Sequence, residues 1–156
     1  VNEADVQLML LLLAESVCTR MRELASRCTV VEISVRDSEL RTFSRQKKLL
    51  RPSCSSQELA EVGMSLFRRS YDWSRPIRSI GIRGAGLVEA TEQQLSLYAD
   101  DRRRDKWERI DKAVDWLRER YGYMSIRRAA VCIDPLLGQI NPYDDHTVHP
   151  VGYFGG

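Results

Sequence analysis

The chain has 156 residues, of which 43% are hydrophobic, a length that suits one domain with an extension and excludes two ordinary domains. Its 24 Lys and Arg residues against 22 Asp and Glu residues give a formal net charge of +2, so the class of partner depends on how the charges are distributed. The four cysteines form no CxxC pair, and the apolar run at 8–14 follows acidic residues and is too short to cross a membrane. We expect a soluble cytoplasmic chain with reduced thiols and no membrane partner.

A helix and a hairpin are predicted at the start of the chain. Apolar residues spaced three and four apart predict the helix from residue 5 to about residue 27. Alternation over 29–36 predicts a half-buried strand, and a second strand over about 42–50 would pair with it and end at Pro52. The outward face of the second strand stays open between positions 44, 46 and 48 and positions 45, 47 and 49, because both sets are mostly polar.

A second helix and a strand rich in glycine come next. Ser55 and Glu58 match a capping box and predict a helix that begins there. Alternation over 77–88 predicts another strand, in which Gly81, Gly84 and Gly86 are unusually dense. Glycine lets another backbone, such as that of a nucleic acid, come close, and a bulge or a strand end explains these residues equally well.

The clearest predicted helix spans 100–121, with acidic residues in its early turns and Gly122 as its stop. Apolar residues at 107, 110, 114, 117 and 121 keep helical spacing. The arginine run 102–104 favours an ordinary solvated face over a nucleic-acid contact, because carboxylates interleave with the arginines along this helix.

Residues 124–156 are predicted to be an irregular tail, in which a short basic segment at 125–130 is followed, beyond Asp134, by recurring proline and glycine. His146 and His149 stand beside Asp144 and Asp145, which on paper suits a metal ion. No third imidazole or thiol is close in sequence, so we predict no metal site.

The peptide 94–98 has apolar side chains that need an explanation. Leu95, Leu97 and Tyr98 stand between acidic residues. Large apolar side chains in a linker are not expected to remain exposed to water unless they have a binding role. Either they pack back on their own domain as a strap, or they insert into a partner's pocket, and we favour docking.

Several phrases, in this order and spacing, resemble one known family. They are AESV and RMR (14–17 and 20–22), RQKKL (45–49), PIRSIGI (76–82), QLSLY (94–98), DKAVD and LRERYG (111–115 and 117–122), and HPVGYF (149–154). Together they resemble the C-terminal little finger domain of the Y-family, or ImpB/MucB/SamB-like, lesion-bypass DNA polymerases, especially its Gram-positive branch.

This resemblance implies an α+β fold, an antiparallel β-sheet with two helices packed on one face, plus a C-terminal helix and the irregular tail. The corresponding division is a little finger-like domain at 1–90, a clamp-docking linker at 91–99, a helix at 100–123 and a tail at 124–156. The family's domain usually begins with a strand, and only four residues precede the first helix here. We therefore expect either a fragment cut inside the domain or a three-stranded sheet with an exposed edge.

The resemblance also implies a function without catalysis: gripping primer–template DNA by its backbone, with no sequence preference, for an error-prone translesion polymerase of the SOS response. The residues expected to contact DNA are Ser34, Arg36, Ser44, Arg45, Lys47, Arg78, Ser79, Gly81 and Arg83. The residues expected to dock on the ring-shaped sliding clamp are Gln94, Leu95, Ser96, Leu97 and Tyr98. Palm, fingers and thumb domains of the parent would be further partners, and the catalytic carboxylates with their Mg²⁺ would lie in the palm, so no cofactor is expected in this stretch.

Two other classes of function compete with this one. A sheet backed by helices also suits an RNA-binding module, although Phe43 is the only ring near the outward strands. A protein-interaction domain that uses the last helix is the other rival. A phosphodiester hydrolase is the weakest, because adjacent acidic pairs such as 100–101 need further carboxylates to hold two metals.

Overall fold

The computed structural model describes residues 2–90, 99–133 and 139–142, without the side chains of residues 99–101. Its elements in chain order are α1 (Glu3–Glu23), β1 (Ser26–Asp37), β2 (Thr42–Ser53), α2 (Ser56–Ser70), β3 (Ile77–Ala85), β4 (Val88–Glu89), α3 (Ala99–Tyr121), a short 3₁₀ helix (Tyr123–Ser125) and α4 (Ala129–Ile133). The strands form an antiparallel sheet in the order β2-β1-β3, and the short β4 pairs with the start of β1. The predicted α+β class is confirmed.

The ends of α1 are set by local backbone chemistry. Asn2 caps its start, because its side chain accepts a hydrogen bond from the Asp5 amide while the Asp5 carboxylate accepts one from the Asn2 amide. At the other end Ala25 has a φ of 45°, in the left-handed region, and turns the chain. β1 therefore begins at Ser26, earlier than the predicted position 29, and the helix stops short of residue 27.

The hairpin between β1 and β2 is held by Asp37, whose carboxylate accepts hydrogen bonds from the amides of Glu39 and Arg41, both at 2.9 Å. The predicted stop at Pro52 is wrong, since β2 continues to Ser53. Among the described residues β2 is an edge strand that pairs only with β1, and an edge strand can hold a proline without losing a ladder hydrogen bond.

The hydrophobic core lies between the sheet and two helices, α1 and α2, which both pack on one face as predicted. Val31, Ile33 and Val35 of the central strand are fully buried there. Gly84 belongs to this side as well, because a Cβ at this position would stand 3.1 Å from the Cβ of Cys28 and 3.2 Å from the sulfur of Met21. The absent side chain of Gly84 thus makes room for α1 and for β1.

α3 is a helix as predicted, but its apolar spacing does not mark its buried face. Ile110 and Tyr121 are 37% and 63% exposed, whereas Glu108 and Asp111 are 6% and 5% exposed. The helix is attached to the rest of the fold through charged and polar side chains.

Part of the predicted irregular tail is helical. Val131 of α4 is buried against Leu12, with Leu8, Met9 and Ile140 packed around the pair. Leu8, Met9 and Leu12 near the start of α1 thus have a second surface to cover them, and α4 forms just before Pro135, the first proline or glycine of the tail. No described helix is long and apolar enough to cross a bilayer.

Candidate nucleic-acid interface

The side of the sheet opposite α1 and α2 carries the outward residues of three strands. We call it the open face. It consists of Val30, Glu32, Ser34 and Arg36 of β1, Thr42, Ser44, Gln46 and Lys48 of β2, and Ser79, Gly81, Arg83 and Ala85 of β3. The register fixes this set, because the positions that alternate with it on β1 are the fully buried valines and Ile33.

Hydroxyl groups line the middle of the open face. Ser34 on the central strand is paired with Ser44 on one side and with Gly81 on the other. A Cβ at Gly81 would lie 2.8 Å from the Ser34 hydroxyl oxygen, so the absent side chain leaves room for that hydroxyl. In the next row Arg36 stands between Thr42 and Ser79. Such rows present small donors beside exposed strand backbone.

The open face has more cations than carboxylates among the described residues. Arg36, Lys48 and Arg83 are its basic residues, and Glu32 is its acidic residue. Arg83 lies 4.0 Å from Glu32, but its side chain is 71% exposed, so this pair is weak. Arg36 makes no ion pair within the described part of the chain, and its Nε is buried without a hydrogen-bond partner there. Arg36, on the central strand, is therefore a cation with no carboxylate partner among the residues that the structure describes.

The structure brings six of the nine predicted DNA-contacting residues together on the open face: Ser34, Arg36, Ser44, Ser79, Gly81 and Arg83. Two others are on the opposite side, since Arg45 pairs with the buried Ile33 and Lys47 with the buried Val31. Arg45 lies over the Phe43 ring, 5.1 Å from its centroid. Arg78 is exposed at the irregularity where the register shifts between Arg36 and Asp37, so it stands at the end of the face.

Gln46 and Lys48 are the residues that take the outward places of Arg45 and Lys47 on β2. The polar residues at 44–48 leave these two alternating sets open, but Phe43 and Leu49, on the same side as Arg45 and Lys47, both pack against the core and are the signal that distinguishes them. The buried strand β1 decides the parity, because each β2 residue inherits the side of its β1 partner.

α3 does not cover the open face. Its described contacts are with α1, with the start of α2, with the start of β1 and, through Arg104, with the carbonyls at the end of β2. Arg27 makes a two-pronged ion pair with Glu108, at 2.6 and 3.0 Å. The Asp111 carboxylate accepts hydrogen bonds from the Ser56 amide at 2.9 Å and from the Ser56 hydroxyl at 2.7 Å, at the first residue of α2.

Arg22 lies at the centre of this docking region, 2.6 Å from Asp115 and 3.4 Å from Asp111. Burial lowers the pKa of Arg22, but the hydrogen bond and charge of Asp115, with the charge of Asp111, raise it further than burial lowers it. Burial raises the pKa of Asp111, and the hydrogen bonds from Ser56 and the charge of Arg22 offset only part of that rise. These charges are satisfied inside the fold and are not available to a ligand.

A second buried group of charges completes the docking of α3. Glu15 of α1 accepts hydrogen bonds from Arg118, whose Nη1 is 3.2 Å away, and from Arg128. The side chains of Arg118 and Glu15 are only 7% and 9% exposed. The Arg118 guanidinium also lies 4.4 Å from the ring centroid of Tyr123. This group joins α3 and the residues just beyond it to the middle of α1.

Two predicted features fall outside the described residues: the docking peptide at 94–98, and the histidine and aspartate pair at 144–149. Within the described part of the chain no three metal-ligating side chains come together.

Comparison with known proteins assigns most of this fold to one family. Residues 1–97 match the model of the impB/mucB/samB family C-terminal domain, a stretch that contains α1, α2 and the whole described sheet. α3 lies beyond it.

Three relatives extend the likeness past that stretch. The chain is 39% identical over 140 residues to DNA polymerase IV of Acetivibrio thermocellus, which is 89% of this chain and 35% of that protein. It is 32% identical to DNA polymerase IV 2 of Halalkalibacterium halodurans (83% and 31%) and 30% identical to DNA polymerase IV of Clostridium acetobutylicum (78% and 30%). The chain thus spans between 30% and 35% of the length of these relatives. From the match over 1–97 and from these identities, the chain belongs to the impB/mucB/samB C-terminal domain family of the Y-family polymerases.

Proposed function

We propose that this chain is the DNA-gripping, non-catalytic part of a translesion DNA polymerase, and that it holds primer–template DNA on the open face. The single observation that carries the proposal is that the open face is hydroxyl-lined, positively charged among its described residues and covered by none of α1, α2 and α3. Relatives named DNA polymerase IV supply the wider context. The polymerase activity belongs to the whole protein, whose palm would hold the catalytic carboxylates and Mg²⁺.

The proposed contact is with phosphates. Arg36, Lys48 and Arg83 would neutralise phosphate charges, while the hydroxyls of Ser34 and Ser44 donate hydrogen bonds to phosphate oxygens. Such contacts position a duplex and carry no sequence information. For a polymerase that must accept damaged templates, a grip that ignores base identity is the useful kind.

The character of the open face also separates this proposal from RNA recognition. RNA-binding sheets of similar shape stack unpaired bases on aromatic side chains. The open face as defined above has no aromatic residue, and Phe43 is turned to the other side, where it stacks with Tyr71 at a centroid distance of 6.1 Å. Backbone contact without stacking fits a duplex better than it fits single-stranded RNA.

We also propose that Gln94, Leu95, Ser96, Leu97 and Tyr98 dock on the ring-shaped sliding clamp. The support is the sequence likeness of this peptide to clamp-docking peptides and its place in the sequence, five positions after β4 ends. A weak clamp contact and a weak DNA contact on one chain reinforce each other through effective concentration. Capture of this chain by immobilised clamp should be lost in Leu97→Ala and Tyr98→Ala and kept in Thr91→Ala; capture that survives both changes removes the docking proposal.

The DNA proposal is tested by titrating fluorescent primer–template DNA with this chain at several salt concentrations. Each phosphate that a cation neutralises contributes about −0.9 to the slope of log affinity against log salt, so the three open-face cations predict a slope near −2.7. The double variant Arg36→Ala with Arg83→Ala should make that slope shallower by about 1.8 and weaken binding. Arg45→Ala, on the other side of the sheet, is the control and should leave both unchanged. Salt-independent binding, or equal losses in the control, would contradict the proposal.

A further inference from the structure

α3 separates its charges by side. Between residues 102 and 121 its buried or half-buried carboxylates are those of Asp105, Glu108, Asp111 and Asp115. Its exposed cations are Arg102, Arg103, Lys106, Arg109, Lys112 and Arg120. Glu119 is the exposed carboxylate in that stretch. The interleaving of acids and bases along the sequence does not persist in space, and the outer face of α3, formed by these exposed residues, is strongly basic.

The cause is the docking of α3 itself. Glu108 is bound by Arg27, and both Asp111 and Asp115 are bound by Arg22, so these carboxylates point into the fold. The two cations of α3 that point inward are also bound: Arg118 lies against Glu15, and Arg104 lies 3.0 Å from Glu58. Three of the four buried or half-buried acids, Glu108, Asp111 and Asp115, are thus paired with arginines of α1 and β1 and do not neutralise the outer face.

Among the described residues the six outer cations have no carboxylate in an ion pair with them. The residues of α3 that do form an ion pair lie on its inner side: Arg104, Glu108, Asp111, Asp115 and Arg118. From Arg102 to Arg120 the helix rises about 27 Å, at about 1.5 Å per residue. A row of cations of this length fits an extended polyanion better than a single small anion.

Two aromatic rings lie at the C-terminal end of the same face. Trp116 is 54% exposed and Tyr121 is 63% exposed. The Arg120 guanidinium lies 5.5 Å from the centroid of the Trp116 ring system and 5.7 Å from that of Tyr121, so the three side chains form one group. Exposed rings among cations are the pattern with which proteins hold unpaired nucleic-acid strands, since cations track the phosphates and rings stack on the bases.

We propose that the outer face of α3 is a second nucleic-acid-binding surface, distinct from the open face, and that it takes an unpaired strand. The phosphates would lie along the cations at 102–112, and bases would stack on Trp116 and Tyr121. A duplex keeps its bases stacked inside and leaves these rings nothing to stack on. An acidic polypeptide would satisfy the cations but would likewise offer the rings no base. The proposal stands whether or not the open face binds duplex DNA.

The test uses the whole 156-residue chain and a fluorescent oligo(dT) longer than about 16 nucleotides, the upper site size of a single binding fold. At about 50 mM salt the double variant Arg109→Ala with Lys112→Ala should bind about tenfold more weakly, because two phosphate contacts are lost. Arg20→Ala with Arg69→Ala removes two exposed cations from α1 and α2 and should have no effect. Circular dichroism of each variant checks that the fold is retained.

Stacking has its own readout. Trp116→Ala should weaken oligo(dT) binding about tenfold, and Trp116→Phe should keep most of the affinity. Oligo(dT) should quench the tryptophan fluorescence of the parent chain, and Trp116→Phe should abolish most of that quenching while Trp73 and Trp107 remain. Lys48→Ala, on the open face, should leave oligo(dT) binding unchanged, so failure of the duplex proposal and failure of this one give different results.

Three outcomes would overturn the inference. The first is an oligo(dT) affinity of the Arg109 and Lys112 variant equal to that of the unmutated chain. The second is an unchanged affinity in Trp116→Ala. The third is competition by poly-glutamate or by vesicles of anionic lipid that is as strong as competition by unlabelled oligo(dT). The last result would assign the outer face to an acidic polypeptide or to a lipid surface.

Discussion

Arginines occur in opposite electrostatic situations in two regions of this molecule. In the docking region between α3 and the body of the fold, Arg22 and Arg27 are nearly buried and have carboxylates within 2.6 Å. On the open face, Arg36 has no carboxylate among the described residues and Arg83 has only a distant one. The number of arginines therefore says little about ligand binding. An arginine that is paired with a carboxylate stabilises the fold, whereas an arginine without such a partner is available to bind a polyanion.

The largest expected effect comes from breaking the docking region. Arg22→Ala leaves Asp111 and Asp115 without their cation, and loss of one partner from a buried ion pair costs about 3–5 kcal/mol of unfolding free energy. Arg83→Ala removes the same charge from the open face and should change stability by less than about 0.5 kcal/mol. Urea unfolding of the two variants makes the comparison. Equal stabilities would mean that the docking charges contribute nothing to the fold.

Two glycines on opposite sides of β3 give the next largest difference. Gly84→Ala places a Cβ against Cys28 and Met21 in the packed core and should cost about 1–3 kcal/mol. Gly81→Ala meets only the Ser34 hydroxyl, which can rotate away, so its stability should change little. The midpoints of thermal unfolding of both variants measure this. A Gly81→Ala variant that is less stable than Gly84→Ala would show that the two sides have been assigned the wrong way round.

The face of the sheet that α1 and α2 cover, here called the helical side, contains buried thiols that report on its packing. Burial raises the pKa of the Cys28 thiol to about 11 from its ordinary value of 9.0, so the fold favours the protonated thiol. Stability from this group is complete below pH 9 and is lost as the pH rises from 9 through 11, because the unfolded chain ionises first.

Two measurements check this expectation. The free energy of unfolding should fall between pH 9 and 11, and Cys28→Ala should reduce that fall. Iodoacetamide at pH 8 should modify the exposed Cys132 and spare the buried Cys18, Cys28 and Cys54 until the chain is unfolded. Rapid modification of Cys28 in the native chain would contradict the packed core described here.

Much of the fold could be predicted from the sequence, because its signals are local. The alternation of β1, the Ser55 cap of α2 and the spacing of α3 each involve neighbouring residues, and all three elements are present. The order of the elements follows from the same local patterns, and the family resemblance added the arrangement of two helices on one face of the sheet.

The parts that could not be predicted depend on partners distant in sequence. Buried Glu108 and Asp111 are stable only because Arg27 and Ser56 meet them from 81 and 55 positions away. Nothing in residues 100–121 indicates that the acids turn inward, so the basic outer face of α3 was missed. On β2 only Phe43 and Leu49, near the two ends of the polar stretch, mark the inward side, and the pairing with β1 fixes the sides of the residues between them.

The most direct test of the central claim compares two adjacent lysines on β2. Lys48 pairs with Val30 on the open face, and Lys47 pairs with the buried Val31 on the helical side. Each loses one positive charge on mutation to alanine, so the pair differs only in the side of the sheet.

The affinity of each variant for primer–template DNA is measured over a range of salt concentrations. The open-face account predicts that Lys48→Ala makes the slope of log affinity against log salt shallower by about 0.9, and that Lys47→Ala leaves it unchanged. Equal changes in the two variants, or a change in Lys47→Ala alone, would contradict it.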